Sequence, residues 1–243
     1  MPNPSAAMLV IGDEILSGRT RDANMHHLAG ELTTHGIDLK EVRIVPDDRD
    51  RIVEAVGMLR DGYDHVFTSG GIGPTHDDVT ADAIAAAFDD PIDVREDARI
   101  LLSEHYARSG LDLNAARIRM ARIPDSASLI VNPVSAAPGF TIGNVHVMAG
   151  VPSVFQAMLA GVLRTLPRGS PLISTSVRVS RGEGDIAGPL GELANRYPDL
   201  SVGSYPFQQE GRYGVNVVFR GADAARVAEA ANALRDLFPK AVI

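Results

Sequence analysis

A glycine-rich segment over residues 68–80 carries the residue types that phosphate and metal chemistry require. It reads TSGGIGPTHDDVT, after a short apolar run at residues 65–67 and before an alanine-rich stretch. This order predicts a strand, a tight turn and a helix. Gly70, Gly71 and Gly73 have no Cβ, so a ligand can approach their main-chain N–H groups closely. The start of the predicted helix favours an anion, and the segment therefore predicts a phosphate-binding site.

The same segment supplies oxygen ligands for a metal ion. Asp77 and Asp78 offer carboxylates beside the predicted phosphate, and Thr75 and Thr80 add hydroxyl groups. Phosphate beside carboxylate is typical of a bridging divalent ion, with Mg²⁺ as first choice and Co²⁺ or Mn²⁺ as alternatives. The competing interpretation is that Asp78 or Thr80 caps the following helix. The segment lacks the Gly-Lys-Ser/Thr ending of a Walker A loop, and His76 replaces the third glycine of the dinucleotide fingerprint.

Three other polar clusters follow predicted strands: residues 12–14 (GDE), Asp47 with Asp48, and residues 150–153 (GVPS). In an open α/β sheet, ligands bind beyond the carboxyl ends of the strands. We therefore expect these clusters to meet the glycine-rich segment at one edge of the sheet. Their carboxylates would crowd together there, which is unfavourable unless a cation or a proton compensates.

The elements that position these clusters alternate along the chain. Strands are predicted over residues 6–11, 39–45 and 66–69, with helices over residues 23–35 and 51–60 between them and another from residue 154. Strand–helix alternation with short loops is typical of a parallel sheet covered on both faces.

A second, smaller domain is predicted after a turn-rich linker, PRGSP, at residues 167–171. The chain beyond it reads as a β-α-β-β-α run. We therefore predict an α/β domain over residues 1–168 and a small α+β domain over residues 169–243.

Composition excludes several classes of protein. The 243 residues are 45% hydrophobic and 22% charged, as in ordinary globular proteins. The formal net charge of -8 argues against a nucleic-acid binder, since no basic field would neutralise phosphates. The absence of cysteine excludes disulfides and thiolate chemistry. No apolar run has membrane-spanning length and no N-terminal signal pattern is present, so we expect a cytoplasmic protein without a membrane partner.

Several motifs together resemble the CinA-type branch of the molybdopterin-binding (MoaB/Mog-like) superfamily. They are GDEILSG at residues 12–18, Asp22 with Asn24, the glycine-rich segment, Asn132-Pro133, APGF at residues 137–140, GVPS at residues 150–153 and GSYP at residues 203–206. The resemblance implies a three-layer α/β/α fold with its ligand at the glycine turn.

The two branches of that superfamily imply different activities. In Mog-like relatives the site binds molybdopterin, and the aspartate that matches Asp78 is important for catalysis. CinA-type relatives are described as metal-dependent pyrophosphatases that act on ADP-ribose. Asp77 favours the CinA branch, because Mog-like sequences tend to carry a basic residue there. The C-terminal nicotinamide-nucleotide amidase domain of full CinA proteins would not fit in this chain, so we expect no amidase activity from it.

The leading hypothesis is a metal-dependent nucleotide-sugar pyrophosphatase with ADP-ribose as first candidate substrate. In it, the N–H groups from Gly70 to Gly73 hold a phosphate, and Asp77 and Asp78 hold the metal. Either Glu14 or Asp47 accepts the proton of the attacking water.

Two further residues complete that hypothesis, and two alternatives compete with it. Asn24 and Ser153 are predicted to orient the ligand. One alternative is a molybdopterin-binding protein of molybdenum cofactor metabolism, and the other is a non-catalytic nucleotide-binding regulatory subunit. The expected partners are a small nucleotide or pterin ligand and a second copy of the chain in a homodimer.

Overall fold

The chain folds into two compact units, which divide after Gly169. The computed structural model describes residues 3–209, 211–239 and 241. The predicted fold class is confirmed, because a mostly parallel sheet with helices on both faces precedes a small unit of antiparallel strands and helices. Within the described residues, no helix is both long and apolar enough to span a membrane.

The first unit is built from short strands that alternate with helices. The strands are β1 (Ser5–Ile11), β2 (Asp38–Val45), β3 (His65–Ser69), β4 (Ile92–Val94), β5 (Arg122–Pro124), β6 (Ser128–Ile130), β7 (Gly139–Ile142) and β8 (Val145–Met148). The helices are α1 (Asp13–Leu16), α2 (Asn24–His35), α3 (Arg49–Gly62), α4 (Thr80–Ala87), α5 (Glu96–Arg108), α6 (Ala115–Ile118) and α7 (Pro152–Leu163), and a 3₁₀ turn spans Arg119–Ala121.

Six strands form the main sheet in the order β2-β1-β3-β8-β7-β6. The first four are parallel, and β7 and β6 extend the sheet as antiparallel strands. Val10 pairs with Ser69, and Ser69 pairs with Met148, so the carboxyl ends of the central strands lie side by side. The polar segments that follow these strands therefore share one edge of the sheet.

Alternating side chains of β1 divide the core into two layers. Ala7, Leu9 and Ile11 pack with buried residues of α3 and α4, whereas Met8 and Val10 pack on the opposite face with α2 and α7. A strand buried on both faces has to be apolar throughout, which explains the continuous apolar run of β1.

Two local features differ from the sequence-based expectation. Strands β4 and β5 form a separate antiparallel ribbon that periodicity does not predict, because three residues are too few to show a period. Helix α7 begins at Pro152, two residues before the predicted start. Proline suits a first helical turn, since the N–H that it lacks has no partner there in any helix.

The second unit is a three-stranded antiparallel sheet with two helices. Its elements are β9 (Ile173–Val179), α8 (Glu183–Arg196), β10 (Ser201–Gln209), β11 (Arg212–Gly221) and α9 (Ala224–Leu237), and the strand order is β10-β11-β9. Buried side chains of β9 and β11 pack against α8 and α9, which gives this unit a core of its own.

Candidate functional site

A cleft of about 510 Å³ lies at the carboxyl ends of β1, β3 and β8. Seven residues that the sequence predicts for the site line it: Glu14, Asp47, Gly70, Gly71, Gly73, Asp77 and Asp78. The predicted residues Asn24, Thr75, Thr80 and Ser153 are not among its lining residues. The expected convergence of separate polar segments at one sheet edge is thus present in the fold.

The glycines of the turn are needed for packing within the protein. Gly70 has φ +111°, and a Cβ there would lie 2.1 Å from the Ile11 carbonyl oxygen. Gly71 has φ +66°, and its Cβ would lie 2.1 Å from the Thr80 hydroxyl. Both positions therefore exclude any side chain before a ligand is considered. The sequence suggests ligand approach as the reason for these glycines, and the structure adds the contact between neighbouring strand ends.

The turn leaves three successive backbone donors free. The N–H of Gly70 donates to the Met148 carbonyl oxygen at 3.1 Å. In the described part of the chain, no hydrogen bond uses the N–H groups of Gly71, Ile72 or Gly73. These three residues line the cleft, and consecutive free N–H groups in a turn form a concave site for an anion.

Asp78 is held by Thr75 rather than by helix α4. Its Oδ2 accepts hydrogen bonds from the Thr75 N–H at 2.8 Å and from the Thr75 hydroxyl at 2.5 Å. Helix α4 has Val79 at its N-cap and no side-chain capping bond, so neither Asp78 nor Thr80 caps it. Asp78 is therefore positioned at the cleft by the turn, and Thr75 acts through Asp78 in this geometry.

Thr80 belongs to the scaffold of the turn. Its side chain is fully buried, and its hydroxyl donates to the Gly70 carbonyl oxygen at 3.0 Å. With its hydrogen used inside the protein, the hydroxyl is not presented to a ligand.

Two acidic residues from outside the glycine-rich segment, Glu14 and Asp47, also line the cleft. Burial raises the pKa of Asp47. The Asp13 N–H donates to Asp47 Oδ2 at 2.9 Å and lowers this pKa in part. The nearby charges of Glu14, Asp13 and Asp77 raise the pKa further. The Glu14 carboxylate lies over Gly12, where a Cβ would come within 2.6 Å of its Oε2.

The charge of the cleft is unbalanced. Its described lining residues include the carboxylates of Glu14, Asp47, Asp77 and Asp78 and no lysine, arginine or histidine. A bound cation or a proton favours carboxylates that lie near one another.

The fit of this donor set to a metal ion is partial. Among the described residues, no three histidine, aspartate or glutamate side chains are grouped closely enough to hold an ion by themselves. The donors are hard oxygens, and Mg²⁺ is commonly held by one or two carboxylates together with phosphate oxygens of the ligand. His76 is 99% exposed, with its Nδ1 3.9 Å from Asp77 Oδ1. The residues therefore suit a Mg²⁺-class ion that arrives with a phosphorylated ligand.

Asn24 joins two strand ends beneath the cleft. Its side chain is buried, and its Nδ2 donates to the Ser69 hydroxyl oxygen and to the Gly150 carbonyl oxygen, both at 2.7 Å. Its Oδ1 is buried without a hydrogen-bond partner in the described residues. Asn24 thus fixes the relative position of the turns that follow β3 and β8, whereas Ser153 is exposed on the first turn of α7.

Comparison with known proteins agrees with this architecture. Residues 7–168 match the family described as "Probable molybdopterin binding domain". The chain belongs to the molybdopterin-binding domain family. Residues 171–243 match a second family, described as "FAD synthase, middle domain", which the sequence patterns do not predict.

Three relatives illustrate how far this similarity extends. A protein of Archaeoglobus fulgidus is 32% identical over 231 residues, which are 95% of this chain and 96% of that protein. The structure of CinA, of unknown function, from Thermoplasma acidophilum is 34% identical with a TM-score of 0.61, over 66% of this chain and 97% of that one. A probable FAD synthase of Caenorhabditis elegans is 32% identical over 83% of this chain but only 44% of its own length.

Two residues near the glycine turn of this molybdopterin-binding domain, Met120 and Arg119, are not predicted from the sequence. Ile72, Met120, Val151 and Pro152 give the cleft an apolar wall. Arg119 lines a small recess that also borders Gly71 to Gly73. Met120 and Arg119 lie in an irregular stretch without a motif, and no spacing rule brings that stretch to the glycine turn.

Replacing Asn24 by aspartate is expected to destabilise the first unit by about 2–3 kcal/mol, because it removes the donor of the buried hydrogen bond to Ser69 and buries a charge. Urea unfolding of the variant measures this loss. Asn114→Asp is the matched control: Asn114 caps α6 by accepting from the Arg117 N–H at 3.0 Å, and aspartate caps about equally well. Equal stability of Asn24→Asp and the control would show that the two hydrogen bonds of Asn24 do not hold the turns.

Proposed function

We propose that this chain binds a phosphorylated heterocyclic ligand of the molybdopterin class in the cleft. The observation that carries the proposal is the row of three free N–H groups at Gly71, Ile72 and Gly73, in a cleft that apolar and acidic side chains also line. Free main-chain donors suit phosphate oxygens, and the apolar wall suits a flat ring. The family match supports the pterin as the ring.

Arg119 supplies the cation that the cleft itself lacks. The recess behind Gly71 to Gly73 contains two guanidinium groups. Arg122 is paired with Asp82 at 2.5 Å, whereas the Arg119 side chain has no hydrogen bond or ion pair in the described residues. Because Arg119 is free and borders the anion site, it can turn to the ligand phosphate with little rearrangement.

A Mg²⁺-class ion would be held by Asp77 and Asp78 together with that phosphate. When bound, such an ion neutralises phosphate charge and polarises the phosphorus–oxygen bond. The protein residues then have separate tasks. The N–H groups of the turn bind the phosphate, and Thr75 keeps the Asp78 carboxylate in place.

The second candidate is hydrolysis of a phosphoanhydride, with ADP-ribose as first candidate substrate. The observation in its favour is the Asp47 carboxylate, whose raised pKa makes it a better proton acceptor for an attacking water near neutral pH. Glu14 lines the same cleft and is the alternative base. The descriptions of the matched family and relatives favour the pterin, so hydrolysis ranks second.

Calorimetric titration with molybdopterin, handled anaerobically, and with ADP-ribose, each with and without Mg²⁺, tests both candidates. Arg119→Ala is expected to weaken phosphate-dependent binding about 10-fold, as loss of a charged hydrogen bond does. Arg108→Ala is the matched control, since Arg108 is exposed on α5 and does not line the cleft.

The outcomes separate the candidate functions. Tight binding of molybdopterin without turnover of ADP-ribose supports the first candidate, and Mg²⁺-dependent release of AMP supports the second. Binding of ADP-ribose without turnover supports the non-catalytic alternative. Failure of both ligands to bind would overturn the assignment of the cleft.

A further inference from the structure

A second cavity, of about 400 Å³, lies between helix α7 and the antiparallel edge of the main sheet. It shares no lining residue with the cleft. Its lining residues lie on β6, β7, β8 and α7 and directly after β6 and α7, and they include Ile130, Val131, His146, Gly161, Val162 and Arg164. Its size is at the lower end of the roughly 300–1,000 Å³ that small-molecule sites occupy.

His146 is the polar group of this cavity that the fold leaves unsatisfied. Its side chain is only 4% exposed, and its Nδ1 lies 3.0 Å from the Thr141 hydroxyl. Its Nε2 is buried without a hydrogen-bond partner in the described residues. The ring packs beside Phe67, with the ring centroids 5.0 Å apart. A buried polar atom without a hydrogen-bond partner in the protein is costly.

The imidazole of His146 is neutral in this environment. Burial, and secondarily the charge of His65, lower its pKa to about 4. The His146 side chain is therefore able to form a neutral hydrogen bond but does not act as a cation.

The charge of the cavity comes from Arg164. Among the residues that line the cavity it is the one with a full charge, and it is exposed and makes no ion pair in the described chain. The other lining residues combine apolar side chains, with Ile130, Val131 and Val162 among them, and the hydroxyl groups of Ser128, Thr141 and Thr165.

We propose that this cavity binds a small, mostly apolar monocarboxylate that also carries a hydroxyl group. The carboxylate pairs with Arg164, the apolar body lies between β6 and α7, and the hydroxyl reaches the His146 side chain. One guanidinium matches one negative charge, whereas a dinucleotide would bring at least two and exceed the volume. The proposal does not depend on the ligand of the cleft.

Calorimetric titration with 4-hydroxybenzoate tests the proposal, with benzoate and 4-hydroxybenzamide as probes that lack one of the two groups. Saturable binding with a dissociation constant of about 1 mM or lower is expected for 4-hydroxybenzoate. Each of the other probes should bind about 5-fold to 10-fold more weakly, because each loses one hydrogen-bonded contact. Failure of all three to saturate by about 10 mM would overturn the proposal.

Gly161→Leu tests whether the probe binds in this cavity, and we expect the variant to fold. A Cβ at Gly161 meets only the Arg164 guanidinium, at 3.8 Å, so a larger side chain fits there and enters the cavity. Leucine also favours a helix more than glycine does, and the melting temperature should stay the same or rise. Binding of 4-hydroxybenzoate should be lost in this variant. Unchanged binding would place the probe elsewhere and refute the site.

Arg164→Ala tests the role of the charge. This variant should bind 4-hydroxybenzoate about 10-fold more weakly than the wild type does, and its affinity for the uncharged 4-hydroxybenzamide should not change. Arg168→Ala is the matched control, because Arg168 is a nearby exposed arginine that does not line the cavity. Equal effects of the two variants would show that overall charge, and not a contact with Arg164, attracts the probe.

Discussion

Replacing Gly70 by alanine is expected to destabilise the first unit by more than about 4 kcal/mol, which would leave much of the protein unfolded. Two physical effects add at this position. A Cβ would lie 2.1 Å from the Ile11 carbonyl oxygen, which is backbone of a central buried strand and cannot move aside. The residue also has φ +111°, a conformation that L side chains rarely adopt. Urea unfolding followed by circular dichroism measures the loss.

Gly18→Ala separates these two effects. Gly18 has φ +74°, but a Cβ there meets no atom within 4 Å, so its replacement tests backbone strain without the clash. That strain alone costs about 1–2 kcal/mol. Equal losses at Gly18 and Gly70 would show that the strand ends can separate to accept a methyl group. The close approach of β1 and β3 would then not be what requires a glycine at the turn.

The sequence predicts the main sheet well, for a physical reason. Strands such as β1 are buried on both faces and are apolar throughout, and the helices between them carry an apolar stripe. Both patterns are local, so they can be recognised in the sequence without knowledge of tertiary contacts. The convergence of residues 12–14, Asp47 and the glycine turn also follows from topology alone, because parallel strands end at the same edge.

What each residue does at that edge depends on contacts between distant segments. The oxygen nearest to a Cβ at Gly70 belongs to Ile11, and Asn24 reaches both Ser69 and Gly150. No local pattern encodes these pairs. For the same reason the sequence suggests a ligand contact for Thr80, whose hydroxyl the fold uses internally.

The charges near the glycine turn are also only partly predictable from the sequence. The sequence predicts crowded carboxylates, and the cleft contains four of them. It does not predict that Arg119, on a 3₁₀ turn after a less regular stretch, borders the other side of the glycine turn. The motifs therefore predict the acidic residues of the cleft, and only the fold shows that an arginine lies near the glycine turn.

Asp78→Asn is expected to lower Mg²⁺-dependent hydrolysis of ADP-ribose about 100-fold or more, since removal of a charged contact at a reacting phosphate has an effect of that size. Asparagine has the same shape as aspartate, and its Oδ1 can accept both hydrogen bonds that Asp78 accepts from Thr75. The free energy of unfolding should therefore change by less than about 1 kcal/mol. The variant removes one negative charge from an acidic cleft and leaves the turn intact.

Two controls define what the loss means. Asp50→Asn makes the same chemical change at a side chain that is 91% exposed on α3, and it should alter neither stability nor activity. Thr75→Val removes one hydrogen bond from Asp78 but keeps its charge. If the position of the carboxylate matters as well as its charge, Thr75→Val should lower Mg²⁺-dependent hydrolysis about 10-fold. This loss would lie between those of the control and of Asp78→Asn.

The measurements are thermal melting, Mg²⁺-dependent molybdopterin affinity and Mg²⁺-dependent ADP-ribose hydrolysis on the wild type and the three variants. A loss of hydrolysis with intact pterin affinity would make Asp78 a catalytic residue of the second candidate function. A loss of Mg²⁺-dependent affinity would instead make it a metal ligand in the binding step. If Asp78→Asn matches the wild type in all three measurements, the carboxylate serves only to order the Thr75 turn. The metal would then have to be held at the other acidic residues of the cleft, Glu14, Asp47 and Asp77.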